Sequence, residues 1–183
     1  MKPMHGLVSL LDSEHYARVE ELWAQLETHC GLKGVQGTPM PHFSWQVTMD
    51  YDFEGLTVAL KKLATEIAPF TVRTAGLGIF TGKNDIVLYI SLTKDENLLK
   101  LHQTIWQATL PYTLQPFAYY APENWMPHIT LGHGDVNEDS LACATRLLAR
   151  EDFNWQIAID NLLLVSQPAG DTALEMARFE LTG

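Results

Sequence analysis

Cysteine is scarce in this chain, with Cys30 and Cys143 alone. No CxxC spacing accompanies them, which gives no sign of a disulfide framework or a zinc knuckle and makes a reducing compartment the expectation. Positive charge is also short: 12 Lys and Arg stand against 22 Asp and Glu, for a formal charge of −10. No basic run relieves that balance, so a long nucleic acid, which must be gripped along its phosphates, is not the expected partner. A ligand with one or two phosphates stays open, because a few converging donors suffice. No apolar run approaches membrane-spanning length, and the opening "MKPMHGLVSLLDSEHY" reaches acidic residues too soon for a secretory signal. The expectation is a cytoplasmic monomer with no membrane partner. Neither G-x-S-x-G nor a poised carboxylate pair is present, which removes the usual marks of a lipid or carbohydrate hydrolase.

What is there is an ordinary globular composition, 46% hydrophobic and 19% charged over 183 residues. That length fits one domain, residues 1–183, with a sizeable core. "HGLVSLLD" reads as a buried strand. "SEHYARVEELWAQLETHCG" follows as a helix, with Ser13 as cap, an apolar stripe of Tyr16, Val19, Leu22 and Leu26, and Gly31 as its stop. Residues 42–49 alternate as a strand, and "FEGLTVALKKLATEIAP" returns to helical period before Pro69. "FTVRTAGLGIF" and "DIVLYISL", joined by "TGKN", suit an antiparallel hairpin. A helix in "KDENLLKLHQTIWQATL", a Pro-broken loop in "LQPFAYYAPENW", a short strand in "HITLGHG", a helix over roughly 138–150 and further strands complete the chain. Interleaved helices and hairpin-like strand pairs point to an α+β fold with antiparallel or mixed sheets.

Two stretches carry the chemistry. "PHFSWQVT" (41–48) and "PHITLGHG" (127–134) each place a histidine two residues before a hydroxyl at the start of a strand. Side chains at i and i+2 of a strand share a face, roughly 7 Å apart at the backbone. His42 would therefore stand beside Ser44, and His128 beside Thr130, while Phe43, Trp45 and Ile129 turn into packing. If the two strands face one another, two imidazoles and two hydroxyls converge on a volume the size of one phosphate. "HQTI" (102–105) repeats the pattern on a helix, where i and i+2 diverge, so His102 reads as a helix-surface or partly buried histidine.

"HFSW" and "HITL" resemble the twin H-x-[ST]-h motifs of the 2H phosphoesterase superfamily, and "WMPHITLGHG" is similar to the second motif of the 2′-5′ RNA ligase (LigT-like) family. Motif spacing and chain length match that family as well. The resemblance implies a bilobal α+β structure with pseudo-twofold symmetry, helices outside and both motifs in a central cleft. It also implies metal-independent cleavage, or in some members reversible joining, of cyclic or 2′,5′ phosphodiester bonds.

The residues support that chemistry directly. One imidazole can be neutral and the other charged near neutral pH, as acid–base displacement at phosphorus requires. His42 and His128 are thus the candidate catalytic pair. Ser44 and Thr130 are the candidate substrate-binding hydroxyls, donating to non-bridging oxygens. The expected activity is hydrolysis of 2′,3′-cyclic phosphates of nucleotides or short RNA ends, or of related 2′,5′ diesters. The alternatives are reversible 2′-5′ ligation and a non-catalytic nucleotide-binding module. No cofactor is expected. A metal site at His128 and His133 is disfavoured, because a strand would put these two on opposite faces with no further ligand nearby. Tyr51, Tyr119, Tyr120 and Trp125 are candidates for base stacking but read first as packing. Arg73 and Lys83 read first as solvated charges.

Overall fold

The computed structural model describes residues 4–82, 85–168 and 172–183. In chain order these form β1 (Met4–Leu10), α1 (Ser13–Cys30), β2 (His42–Tyr51), α2 (Phe53–Ala64), β3 (Phe70–Thr81), β4 (Ile86–Leu92), α3 (Glu96–Thr109), β5 (Thr113–Pro116), β6 (His128–Gly132), α4 (Glu138–Leu148), β7 (Gln156–Ile159), β8 (Asn161–Gln167) and β9 (Leu174–Glu180). The expected α+β class is observed.

Each helix begins where a short polar side chain satisfies a free backbone N–H: Asp12 accepts from His15, Asp52 from Gly55, Asp95 from Leu98, and Asn137 from Ser140. For α1 the cap is thus Asp12, with Ser13, the expected cap, as the first helical residue. The helix ends at Gly31, whose φ of 72° is the left-handed conformation a glycine adopts without a Cβ penalty.

The strands make two antiparallel sheets, ordered β5-β2-β1-β8-β9 and β6-β4-β3-β7. Apart from the added β5, the second order repeats the first, with β6 for β2, β4 for β1, β3 for β8 and β7 for β9. The expected hairpin is the β3–β4 pair; the "KN" of its turn lies outside the described residues. The helices cross between the halves. The helix after β1, α1, packs with α4 on the second sheet, whereas the helix after β4, α3, packs with α2 against the first. That exchange buries a continuous apolar core including Leu26, Phe43, Trp45, Leu60, Ile90, Ile129 and Ile157, each inaccessible to solvent, worth about 1.5–3 kcal/mol per large side chain removed from water.

The cysteines depart from expectation. Cys30, at the end of α1, and Cys143, in α4, are disulfide-bonded with Cα atoms 5.7 Å apart. Spacing along the chain does not show this, because the pair spans 113 residues and meets only when α1 crosses to lie beside α4. The reading that the cysteines give no sign of a disulfide is corrected accordingly. Among the described residues no helix is long and apolar enough to cross a membrane.

Candidate active site

Both motifs begin with the same tripeptide, Met40-Pro41-His42 and Met126-Pro127-His128. A proline holds the residue before it in extended geometry, and in both cases the methionine carbonyl comes back onto the ring two residues later. His42 Nδ1 lies 2.6 Å from the Met40 oxygen and His128 Nδ1 lies 2.7 Å from the Met126 oxygen. A carbonyl accepts only, so each Nδ1 carries a proton. The neutral rings therefore keep their lone pairs on Nε2. Proline carbonyls also anchor matching positions: Leu11 N–H donates to Pro41 and Leu92 N–H to Pro127.

The hydroxyl residues are matched as well. Ser44 pairs with Val8 and Thr130 with Tyr89, and immediately after each the ladder skips a residue, Trp45 in β2 and Leu131 in β6. Each hydroxyl thus sits at the edge of a β-bulge, a device that re-aims side chains locally. Phe43, Trp45 and Ile129 are wholly buried, as the strand alternation requires.

Strands β2 and β6 lie alongside each other, and the charge of His128 is felt at His42. A cavity of about 760 Å³ opens here, with His128, Thr130, Tyr120 and His133 in its wall, a size suited to a small organic ligand. His42 and Ser44 are outside its lining, on the neighbouring strand. Tyr120 links the two, since it lines the cavity and its hydroxyl is influenced by the Ser44 side chain. Phe80 and Tyr89 stack with centroids 4.2 Å apart, and both rings flank the His128 imidazole at 5.0 and 5.1 Å. Gly78 makes this possible, because a Cβ there would run into the Tyr89 ring.

Burial holds the pKa of both catalytic-candidate imidazoles below the usual 6.5. For His42 the Met40 carbonyl opposes the shift and the His128 charge adds to it; for His128 the Met126 carbonyl opposes and His133 adds. Without a ligand both rings are therefore predominantly neutral at pH 7.

Other expectations shift. His133 lies just past the end of β6, so alternation no longer applies: it shares the cavity with His128 and pairs with Asp85 at 3.0 Å. Among the described residues no three His, Cys, Asp or Glu side chains are grouped to hold a metal ion. Tyr51 and Trp125 are core residues, whereas Tyr119, 83% exposed, lines the cavity. Arg73 lies on β3 opposite Gln156, exposed to solvent, and Lys83 lies outside the described residues. His102 is neither on the surface nor partly buried: it is 1% exposed, with its Nε2 3.0 Å from the Trp45 carbonyl directly behind the first motif. Sequence reasoning missed Phe80 and Tyr89, whose only signal was β-rich character.

The sequence matches the family model described as the 2′-5′ RNA ligase superfamily over residues 11–171. No curated protein matches it. Similar solved structures include TT0787 of Thermus thermophilus (18% identity, TM-score 0.70, 98% of each chain covered). E. coli LigT complexed with 3′-AMP is similar at 17% identity and TM-score 0.59, with 99% of each chain covered. Kluyveromyces marxianus Usb1 is similar at 13% identity and TM-score 0.54, covering 98% of this chain and 99% of that one. At these identities the structures speak for the fold.

Proposed function

Since the chain belongs to the 2′-5′ RNA ligase superfamily of 2H phosphoesterases, we propose that it hydrolyses 2′,3′-cyclic phosphates of nucleotides or short RNA ends, or related 2′,5′ phosphodiesters. The observation that carries this is the matched pinning of both imidazoles, Nδ1 to the carbonyl two residues back at 2.6 and 2.7 Å. It leaves two Nε2 atoms as a base and, once one ring is protonated, an acid. One imidazole takes a proton from the attacking water; the other gives a proton to the leaving ribose oxygen. Hydroxyls of Ser44 and Thr130 donate to the non-bridging oxygens, where positioned donors stabilise the charge that develops in the transition state. A cyclic phosphate is strained and already placed for in-line attack, so the two imidazoles and two hydroxyls account for the step.

A nucleotide-sized substrate also suits the cavity, and the similarity to LigT, whose structure holds 3′-AMP, supports a nucleotide ligand. The charge of −10 favours small diesters over long RNA, and hydrolysis over joining RNA halves.

The test is a panel of 2′,3′-cyclic nucleotides and 2′,5′-linked dinucleotides, with the wild type compared with His42→Ala and His128→Ala. Each variant is expected to lose about a hundredfold or more in kcat. Wild-type rates in either purified variant would defeat the mechanism.

A further inference from the structure

We propose that Trp125 and Trp23 are positioning residues, each setting a phosphate-binding hydroxyl from behind through an indole N–H bound to that hydroxyl residue's own carbonyl. Trp125 Nε1 donates to the Ser44 oxygen at 2.9 Å and Trp23 Nε1 to the Thr130 oxygen at 3.0 Å. The inference rests on the reading of Ser44 and Thr130 as phosphate donors.

Both strands need such a partner for the same reason. Strand β5 pairs with β2 only from Thr48 to Tyr51, so among the described residues the outer side of β2 at Ser44 has no strand hydrogen-bonded to it. Strand β6 is the edge of its sheet. Carbonyls on an open edge must find donors elsewhere, and here each bond falls on the residue preceding a bulge, where strand geometry is least constrained by the ladder. The first motif has a further fastening, since His102 Nε2 donates to the carbonyl of the bulged Trp45. Its ring stacks on Trp125 at 3.8 Å and 7°, and Trp125 in turn lies against Trp45 at 5.4 Å and 19°.

The donors are exchanged between the halves. Trp125 lies three residues before His128, in the chain leading to the second motif, yet it holds the first. Trp23 belongs to the helix after β1, the strand paired with the first motif, yet it holds the second. Each bond therefore ties one hydroxyl to the chain of the opposite half. Two hydroxyls that grip one phosphate require a fixed separation, and misplacement of a site group by about 1 Å can cost a hundredfold in rate.

Two double-mutant cycles test this, Trp125→Phe with Ser44→Ala and Trp23→Phe with Thr130→Ala, read as kcat/KM on the cyclic-nucleotide panel. Phenylalanine keeps a ring and removes the N–H. Each Trp→Phe change alone is expected to cost about ten- to a hundredfold and to cost nothing further once its own hydroxyl is gone. A loss that multiplies unchanged into the alanine background, as general destabilisation would, overturns the inference, as does wild-type activity in both single variants. If the wild type cleaves no diester, the hydrolase reading falls, and the same cycles are read as the Kd for inorganic phosphate. Coupling within each pair then upholds the positioning role, and independence, or no phosphate binding at all, overturns it. Should Trp125→Phe fail to fold, the cycle on the half-buried Trp23 decides.

Discussion

Acidification should unfold this protein partly through His102, which lies far from water. Its Nε2–H donates to the Trp45 carbonyl, its Nδ1 makes no hydrogen bond, and its ring is stacked on Trp125. Burial holds its pKa at about 4, with the Trp45 and Tyr120 carbonyls offsetting only part of the effect. In the unfolded chain the same imidazole titrates near 6.5, so as pH falls the unfolded state takes up the proton first. The stabilisation is complete above pH 6.5 and is lost as pH approaches 4. A drop from 6.5 to about 4 corresponds to about 3 kcal/mol in full, of which about 2.5 kcal/mol is gone by pH 4.5. An imidazolium would gain about 1 kcal/mol from the Trp125 face, too little to reverse the sign. The assay is urea unfolding of the wild type and His102→Phe at pH 7 and pH 4.5. At pH 7 the variant should be less stable by about 1 kcal/mol for the lost bond; at pH 4.5 the order should invert. His42, His128 and Asp12 also titrate with lowered pKa values, but they are common to both proteins and cancel in the difference. Parallel pH dependence in the two proteins would refute the reasoning.

Because both His42 and His128 titrate below 6.5 in the free protein, kcat/KM on a cyclic nucleotide should be bell-shaped with its maximum below pH 6.5. The two limbs belong to the coupled pair, and a maximum above pH 7.5 would contradict the burial argument. Reduction of Cys30–Cys143, which closes a loop of 113 residues, should cost about 2–4 kcal/mol in urea unfolding, and the Cys30→Ser/Cys143→Ser variant should show no response to reductant. Gly78→Val should displace the Tyr89 ring toward His128, lowering kcat/KM about tenfold or more while the thermal midpoint moves by only a few degrees; unchanged kinetics would show that the Phe80–Tyr89 pair leaves the His128 imidazole undisturbed.

The catalytic candidates were legible because strand alternation is written in the letters: His42 with Ser44 and His128 with Thr130 obey a period of two, and Phe43, Trp45 and Ile129 pack behind them. The repeated Met-Pro-His was equally visible, but not its consequence, since the direction of a carbonyl depends on backbone geometry. Bulges at Trp45 and Leu131 leave no mark in composition, because they are properties of pairing with β1 and β4. Helix crossing was hidden for a related reason. A helical stripe shows that a face is buried but not against which sheet, so neither the Cys30–Cys143 bond nor the approach of Trp23 and His102 to the motif strands followed from spacing. His102 is the instructive case, since helical geometry correctly removed it from the row of substrate-facing histidines and still left open that its helix packs behind β2.

An acidic protein that handles phosphodiesters must find positive potential without many cations. Histidines aside, Asp85 is the one charged side chain among the described residues lining the cavity, and the motif imidazoles are predominantly neutral before a ligand arrives. On the proposed reading, hydroxyls and protonatable rings meet this need, because the rings are pinned by backbone carbonyls and neither group carries a permanent charge to be neutralised by neighbouring acids. On the proposed mechanism, a diester anion bound at His42 and His128 would supply the opposite charge that each ring lacks and so favour protonation of one of them. The resulting pair of one imidazole and one imidazolium is the state that general acid–base chemistry needs. The substrate's own charge would, on that mechanism, complete the pair, so that two similar histidines with lowered pKa values take different roles in one reaction.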